Sequence, residues 1–239
     1  MGSGCGEGEA NADWAAVPSW EGYGSVRRSV VGLLREIRQA GGFPVPACPG
    51  WDVRDTVAHL VGICRGVENN LDPGPAGQSG LAVESLSQPG LRTLLDEWER
   101  SGGRVEAALA RAEHWGKGAV LVMDAFTHEL DIRLALGVPF PVGHPAFRGA
   151  FDVLIGGLSG SVMMLGLPSF HLQADAWSWV VGTGEPTAVV RGSRADLYRS
   201  LAGRRTYRQI EQLTWSTHPG PWLPAFGWGP FRPPDQPVD

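Results

Sequence analysis

Three polar side chains share one face of an apolar segment, and two of them could grip a cation. Between Val120 and Leu136, the residues Asp124, His128 and Asp131 recur at intervals of four and three. On a helix turning about 100° per residue they lie in a strip about 60° wide. Glu129 and Arg133 fall on the other side, spaced i, i+4 as in a solvated ion pair. Most other positions (Val122, Met123, Phe126, Leu130, Ile132, Leu134) are apolar, so the helix is expected to be largely buried. A buried polar strip must then be matched by a partner, a metal or a cavity. Asp124 and His128 can grip one ion from a single face, and His59, on another helical segment, is the candidate third ligand. Two imidazoles and one carboxylate leave coordination positions open, which suits catalysis better than structure. Iron(II), nickel and zinc all accept such a set. The competing reading is a buried Asp124–His128 hydrogen bond that braces the helices. Asp131 is read as an acceptor that orients a ligand.

The elements that must position these residues follow from periodicity. Val26, Val30, Leu33, Leu34 and Ile37 mark a helix over about 22–41, closed by Gly41-Gly42. Three prolines (Pro44, Pro46, Pro49) make an extended connector ending in a turn, and Asp52 is placed to cap a second helix reaching about Leu71. His59 lies on that helix, as does Cys64 within its apolar stripe. A Pro/Gly loop covers 72–80. Further helices are expected over about 91–113, 119–136 and 145–165. Long helices joined by short loops indicate an antiparallel bundle. The uncharged stretch 153–170 carries too many Gly and Ser residues for a membrane span and reads as a buried helix with a close contact. Beyond Pro168, alternation over 171–176 resumes in the opposite phase at Trp177, the pattern of a strand with a bulge. A second strand is expected at 187–191, a helix opened by Ser193 and Asp196 and ending at Gly203, and a third strand at 212–215. The Pro/aromatic tail from Pro219 is expected to pack over a surface. The fold class is therefore α+β: a disordered tail (1–17), a helical bundle (18–166) and a small α/β domain (167–239).

Composition narrows the function. The 239 residues carry a net charge of −5, and Lys117 is the only lysine among 20 basic residues. No basic excess exists to displace the counterions of a nucleic acid. Three cysteines (Cys5, Cys48, Cys64) are too few for a disulfide framework and fit a reducing cytoplasm. Cys48 at a helix N-terminus could carry a lowered pKa or be inert. The N-terminus has no basic region followed by an apolar one. The sequence lacks G-x-S-x-G, G-x-G-x-x-G, a P-loop, C-x-x-C and H-E-x-x-H, which weakens hydrolase, dinucleotide, nucleotide and zincin readings. A monomer without nucleic-acid or membrane partners is expected.

Two motifs resemble a known family. The run from Cys48 through Pro49-Gly50-Trp51-Asp52-Val53 and Asp55 to His59-Leu60 is similar to the opening of the mycothiol-dependent maleylpyruvate isomerase family, within the DinB-like bundle superfamily. Asp124, His128, Asp131, Gly137 and Pro139 match its second motif, and 189–204 resembles its small α/β domain. The resemblance implies a DinB-like up-and-down bundle. It also implies a divalent metal, zinc above all, held by His59, Asp124 and His128, with mycothiol as thiol cosubstrate. Asp124 stands where the family has Glu, one methylene longer. The isomerase has a functional Arg ahead of the third helix, whereas 71–90 contains neither Arg nor Lys. The expected activity is therefore transfer of the thiol to a small-molecule electrophile, in detoxification or natural-product biosynthesis, with Asp131 assisting catalysis. The alternatives are a metal- and thiol-independent cyclase or isomerase in the same cleft, and a non-catalytic binding protein with a degenerate metal site.

Overall fold

The structure, a computed structural model, describes residues 16–68, 89–111, 116–141, 143–175 and 177–238. The first fifteen residues of the expected tail, the loop at 72–80 and the expected helix ends at 69–71 and 112–113 lie outside them.

The apolar periodicities become five long helices: α1 (Ser19–Glu36), α2 (Val53–Glu68), α3 (Leu91–Arg111), α4 (Gly116–Ala135) and α5 (Ala146–Met164). α1 packs between α3 and α4, α2 packs on α3 and α4, and α5 covers α4 and α1. Although α1 and α2 are consecutive in the chain, their backbones do not run side by side. Residues 37–52 make the crossing. Instead of an extended connector they form a closed loop, in which Pro44 bridges Asp52 and Val45 N donates to Trp51 O at 3.0 Å. Gly50 holds its turn at φ +84°, a conformation glycine adopts without steric cost. The loop delivers Cys48 and Trp51 to the start of α2. Asp52 caps that helix as its position suggests. Asp55 N donates to Asp52 Oδ1 at 2.8 Å and Asp52 N to Asp55 Oδ2 at 3.2 Å.

Trp98, Tyr23, Val26, Val57 and Phe126 are fully buried at the centre of the bundle. Cys64 belongs to that core, and its sulfur lies 2.9 Å from the Tyr23 hydroxyl, which also accepts from Trp98 Nε1. One expectation for α4 is overturned. Glu129 and Arg133 do pair at 2.8 Å, but the Glu129 side chain is fully buried. α1 and the 140s loop cover the side of α4 that helical spacing alone leaves facing solvent. Glu129 Oε1 is matched there by Ser29 (2.6 Å) and Arg133, while His144 Nε2 lies 3.3 Å from Oε2.

The small domain is a four-stranded sheet with two short helices. Its elements are β1 (Phe170–Ala174), β2 (Trp177–Val181), β3 (Ala188–Arg191), α6 (Arg194–Leu201), α7 (Tyr207–Glu211) and β4 (Thr214–Trp215). The order is β2-β1-β3-β4, with β1–β3 parallel and the other pairs antiparallel. The phase change at Trp177 is not a bulge. β1 and β2 form a hairpin in which Ala174 faces Trp177, and the chain reverses at Asp175 (φ 51°). A turn inverts alternation just as a bulge does, so period alone cannot separate them. α6 opens on Ser193, whose hydroxyl accepts from Asp196 N. α7 is not among the expected elements. It starts from a reciprocal cap between Thr206 and Gln209. The tail returns over the molecule: Trp222 Nε1 donates to Pro168 O, and Trp228 Nε1 to Leu201 O. Trp228 lies against Gly157 of α5, where an added Cβ would sit 1.9 Å from its ring. That is the close contact which the small residues of α5 permit. None of the described helices is long and apolar enough to cross a membrane.

Candidate functional site

The site forms where α2 and α4 face each other beneath the 44–52 loop. α2 supplies His59; α4 supplies Asp124, His128 and Asp131, one helical turn after another. His59 Nε2 lies 3.3 Å from Asp124 Oδ2, and His128 Nε2 lies 3.9 Å from Asp124 Oδ1. The two imidazoles therefore turn the same nitrogen toward one carboxylate. They meet edge to face, with centroids 4.8 Å apart. His59 and His128 are buried, whereas Asp124 is 25% exposed and marks where the site opens. All four residues singled out from the sequence converge here.

One ligand atom from each of His59, Asp124 and His128 lies within 4.8 Å of the others. Four ligands at zinc–nitrogen or zinc–oxygen distances are separated by about 3.4 Å in a tetrahedral arrangement. The spacings of 3.3 and 3.9 Å suit such an ion with small adjustments. Asp124, despite the methylene it lacks relative to Glu, brings its carboxylate between both imidazoles. The donor set thus fits a divalent metal.

Behind His128 stands a second layer of charge. Its Nδ1 lies 3.4 Å from Asp131 Oδ2, so the ring bridges Asp124 on one side and Asp131 on the other. A carboxylate on the outer nitrogen of a metal-ligating histidine fixes its tautomer and raises its basicity. Asp131 is in turn gripped by Arg204, from Nη2 to Oδ2 at 2.8 Å and from Nε to Oδ1 at 3.3 Å. Burial opposes charge on all three groups, but the pairing prevails. Arg204, then His128, holds the Asp131 carboxyl far below its usual range. Asp131, Cys48 and Asp124 push His128 up to about 10. His59 keeps the Asp124 carboxyl below its ordinary value. Among the described residues His59 has no counterpart of Asp131, because its buried Nδ1 finds no hydrogen-bond partner there.

Sequence reasoning missed Arg204 and the indole of Trp51. Arg204 follows α6, 73 residues from Asp131. Gly203 turns the chain at φ +66° just before it, and a Cβ there would meet the backbone of Arg232 at 2.9 Å. Helical spacing carries no signal for a partner on another element. Trp51 lies within the first motif, but only the fold sets its ring against His59 (5.4 Å) and His128 (6.2 Å). Cys48, whose position in the chain allows a reactive or an inert role, places Sγ 3.9 Å from His128 Nδ1 and 3.8 Å from Asp131 Oδ2. Its sulfur is therefore on the outer side of the His128 ring, away from Asp124. Tyr198 of α6 meets Thr127 at 3.0 Å and joins the small domain to α4 one residue from His128.

The fold has counterparts among known proteins. Residues 23–133, from within α1 to near the end of α4, match the family model of the mycothiol maleylpyruvate isomerase N-terminal domain. The helical part of the chain is thus similar to that domain family over the stretch that carries its two motifs. The crystal structure of the mycothiol-dependent maleylpyruvate isomerase is similar over 84% of this chain and 94% of that chain, with a TM-score of 0.52 and 15% identity. The structure of its histidine-to-alanine mutant gives a TM-score of 0.53 at the same identity and coverage. At that identity the likeness concerns the fold, and it extends through the small α/β domain. No curated protein matches the chain.

Proposed function

We propose that this protein is a divalent-metal enzyme that uses a low-molecular-weight thiol, mycothiol, against a small electrophilic substrate, and that its reaction is transfer of the thiol. The observation that carries this reading is the convergence of His59, Asp124 and His128, with Asp131 and Arg204 behind them. The family of the helical domain supports the thiol, and the chemistry of the donor set favours zinc. A bound zinc ion would lower the pKa of the thiol sulfur and make a thiolate available at neutral pH.

The chain's own residues do the rest. His59 and His128 offer neutral nitrogens and Asp124 one negative charge, so part of the ion's charge remains to stabilise a thiolate. Asp131 takes up the proton side of His128 and keeps Nε2 aimed at Asp124. Trp51 covers both rings and limits access of water. Thiolate addition to a polarised double bond serves two outcomes: expulsion of the thiol after bond rotation isomerises the substrate, and retention of the adduct is transfer. The absence of Arg and Lys from 71–90 favours transfer.

The test is metal analysis of protein purified without chelator, followed by conjugation assays with mycothiol. We expect one ion per chain, and His128→Ala should lose both the ion and the activity. Sub-stoichiometric metal, with activity unchanged in His128→Ala, would overturn the proposal.

A further inference from the structure

Every lysine and arginine of this chain lies among the described residues. The undescribed residues (1–15, 69–88, 112–115, 142, 176 and 239) contain no lysine or arginine. Arg204 is the one guanidinium among the main influences on Asp124, His128 and Asp131. All three of its nitrogens are committed. Nε and Nη2 form a fork on Asp131, and Nη1 donates to Ala202 O at 2.9 Å. Arg133, also on α4, is turned the other way and held by Glu129, Ser29 and Pro139 O.

The charges of the working site can then be counted. Two carboxylates, one guanidinium, a divalent ion and a thiolate sum to zero. A substrate carboxylate would enter a site with no net positive charge, in which Arg204 already spends on Asp131 the guanidinium fork that best recognises planar carboxylates. It would lose hydration without compensation. An uncharged molecule meets no such penalty, and the half-buried indole of Trp51 offers it an apolar wall.

Resting on the thiol-transfer reading above, we propose that the electrophile of this site is uncharged, an activated alkene of the ester or amide type, and that the site discriminates against the corresponding carboxylates. Asp131 determines that specificity by occupying Arg204. In the reaction the thiol adds across the alkene. The C–S bond forms, the carbon–carbon π bond breaks, and the thiol proton ends on the neighbouring carbon, with no change in oxidation state overall.

Two ligand pairs test this on the zinc- and mycothiol-loaded protein. Dimethyl succinate and succinate, which cannot react, are compared by calorimetry. Dimethyl maleate and maleate are compared as substrates, each rate divided by its uncatalysed rate. The diester should bind at least tenfold more tightly and be accelerated at least tenfold more. In Asp131→Asn, succinate should gain about tenfold in affinity relative to its diester. Equal or tighter binding of succinate by the unaltered protein overturns the proposal, as does binding of neither ligand. A parallel loss of both ligands in Asp131→Asn would refute the specificity role of Asp131. If the diester binds preferentially but neither alkene is conjugated, the charge selectivity stands and thiol transfer falls.

Discussion

At the scale of single residues, the site is a chain of opposite charges running from Asp124 through His128 and Asp131 to Arg204. His128 and Asp131 are buried and Asp124 and Arg204 partly so, and each charge is tolerated because its neighbour neutralises it. The consequence for metal binding is asymmetric. His128 is aimed by a carboxylate on its outer nitrogen, while the outer nitrogen of His59 has no partner among the described residues. Asp131→Asn keeps the shape of the side chain and removes the charge behind the ring. Metal affinity should fall by about 10- to 100-fold, as measured by competition with a chromophoric chelator. Cys48→Ser should leave that affinity nearly unchanged, because Sγ faces Nδ1 of His128 and not Asp124.

At the scale of elements, α5 is the surface on which the small domain and the tail are mounted, and two adjacent glycines on it have opposite roles. A Cβ on Gly157 would strike the ring of Trp228, whereas one on Gly156 would meet nothing within 4 Å. Gly157→Ala must expel Trp228 and break its bond to Leu201 O. Losing a packed Trp costs about 3–5 kcal/mol, so a thermal melt should drop by about 6–20 °C, at roughly 2–4 °C per kcal/mol in a chain of this size. Gly156→Ala should raise the melting temperature slightly, since Ala in a helix interior is better than Gly by about 0.5–1 kcal/mol. Equal effects from the two substitutions would contradict the placement of the tail.

At the scale of the whole molecule, the buried Glu129 cluster ties α1, α4 and the 140s loop together on the side of α4 away from the metal ligands. Within it, His144 Nδ1 accepts from Ala146 N. Burial, followed by the charge of Arg133, brings His144 down to about 4. The folded chain thus holds this histidine neutral, while an unfolded chain protonates it near its ordinary value of 6.5. Between those two values the unfolded state binds more protons, so stability must fall as pH falls from about 6.5 toward 4. Above that window the group contributes no pH dependence. Urea midpoints measured at pH 7 and pH 5 should show this loss in the unaltered protein and a smaller loss in His144→Asn. An equal loss in both would assign the acid limb to other groups.

Much of this architecture is legible in residue order alone. The spacing of Asp124, His128 and Asp131 places them on one face because a helix advances by a constant angle, and apolar periodicity locates all five long helices. Composition and the two motifs add a class of protein. What periodicity cannot encode is which surface another element covers. Glu129 and Arg133 have the spacing of an exposed pair, and only the packing of α1 and the 140s loop covers them. The change of phase at Trp177 fits a bulge or a turn equally, and strand pairing selects the turn. Arg204 shares no period with the residues it serves, because charge pairing across 73 residues of chain leaves no local trace. Residue types and their spacing thus establish the chemistry on offer: two imidazoles, two carboxylates and a bundle to hold them. That Asp124 reaches both imidazoles, and that Arg204 is taken up by Asp131, emerges only in the packed chain, since distances between elements are set by packing.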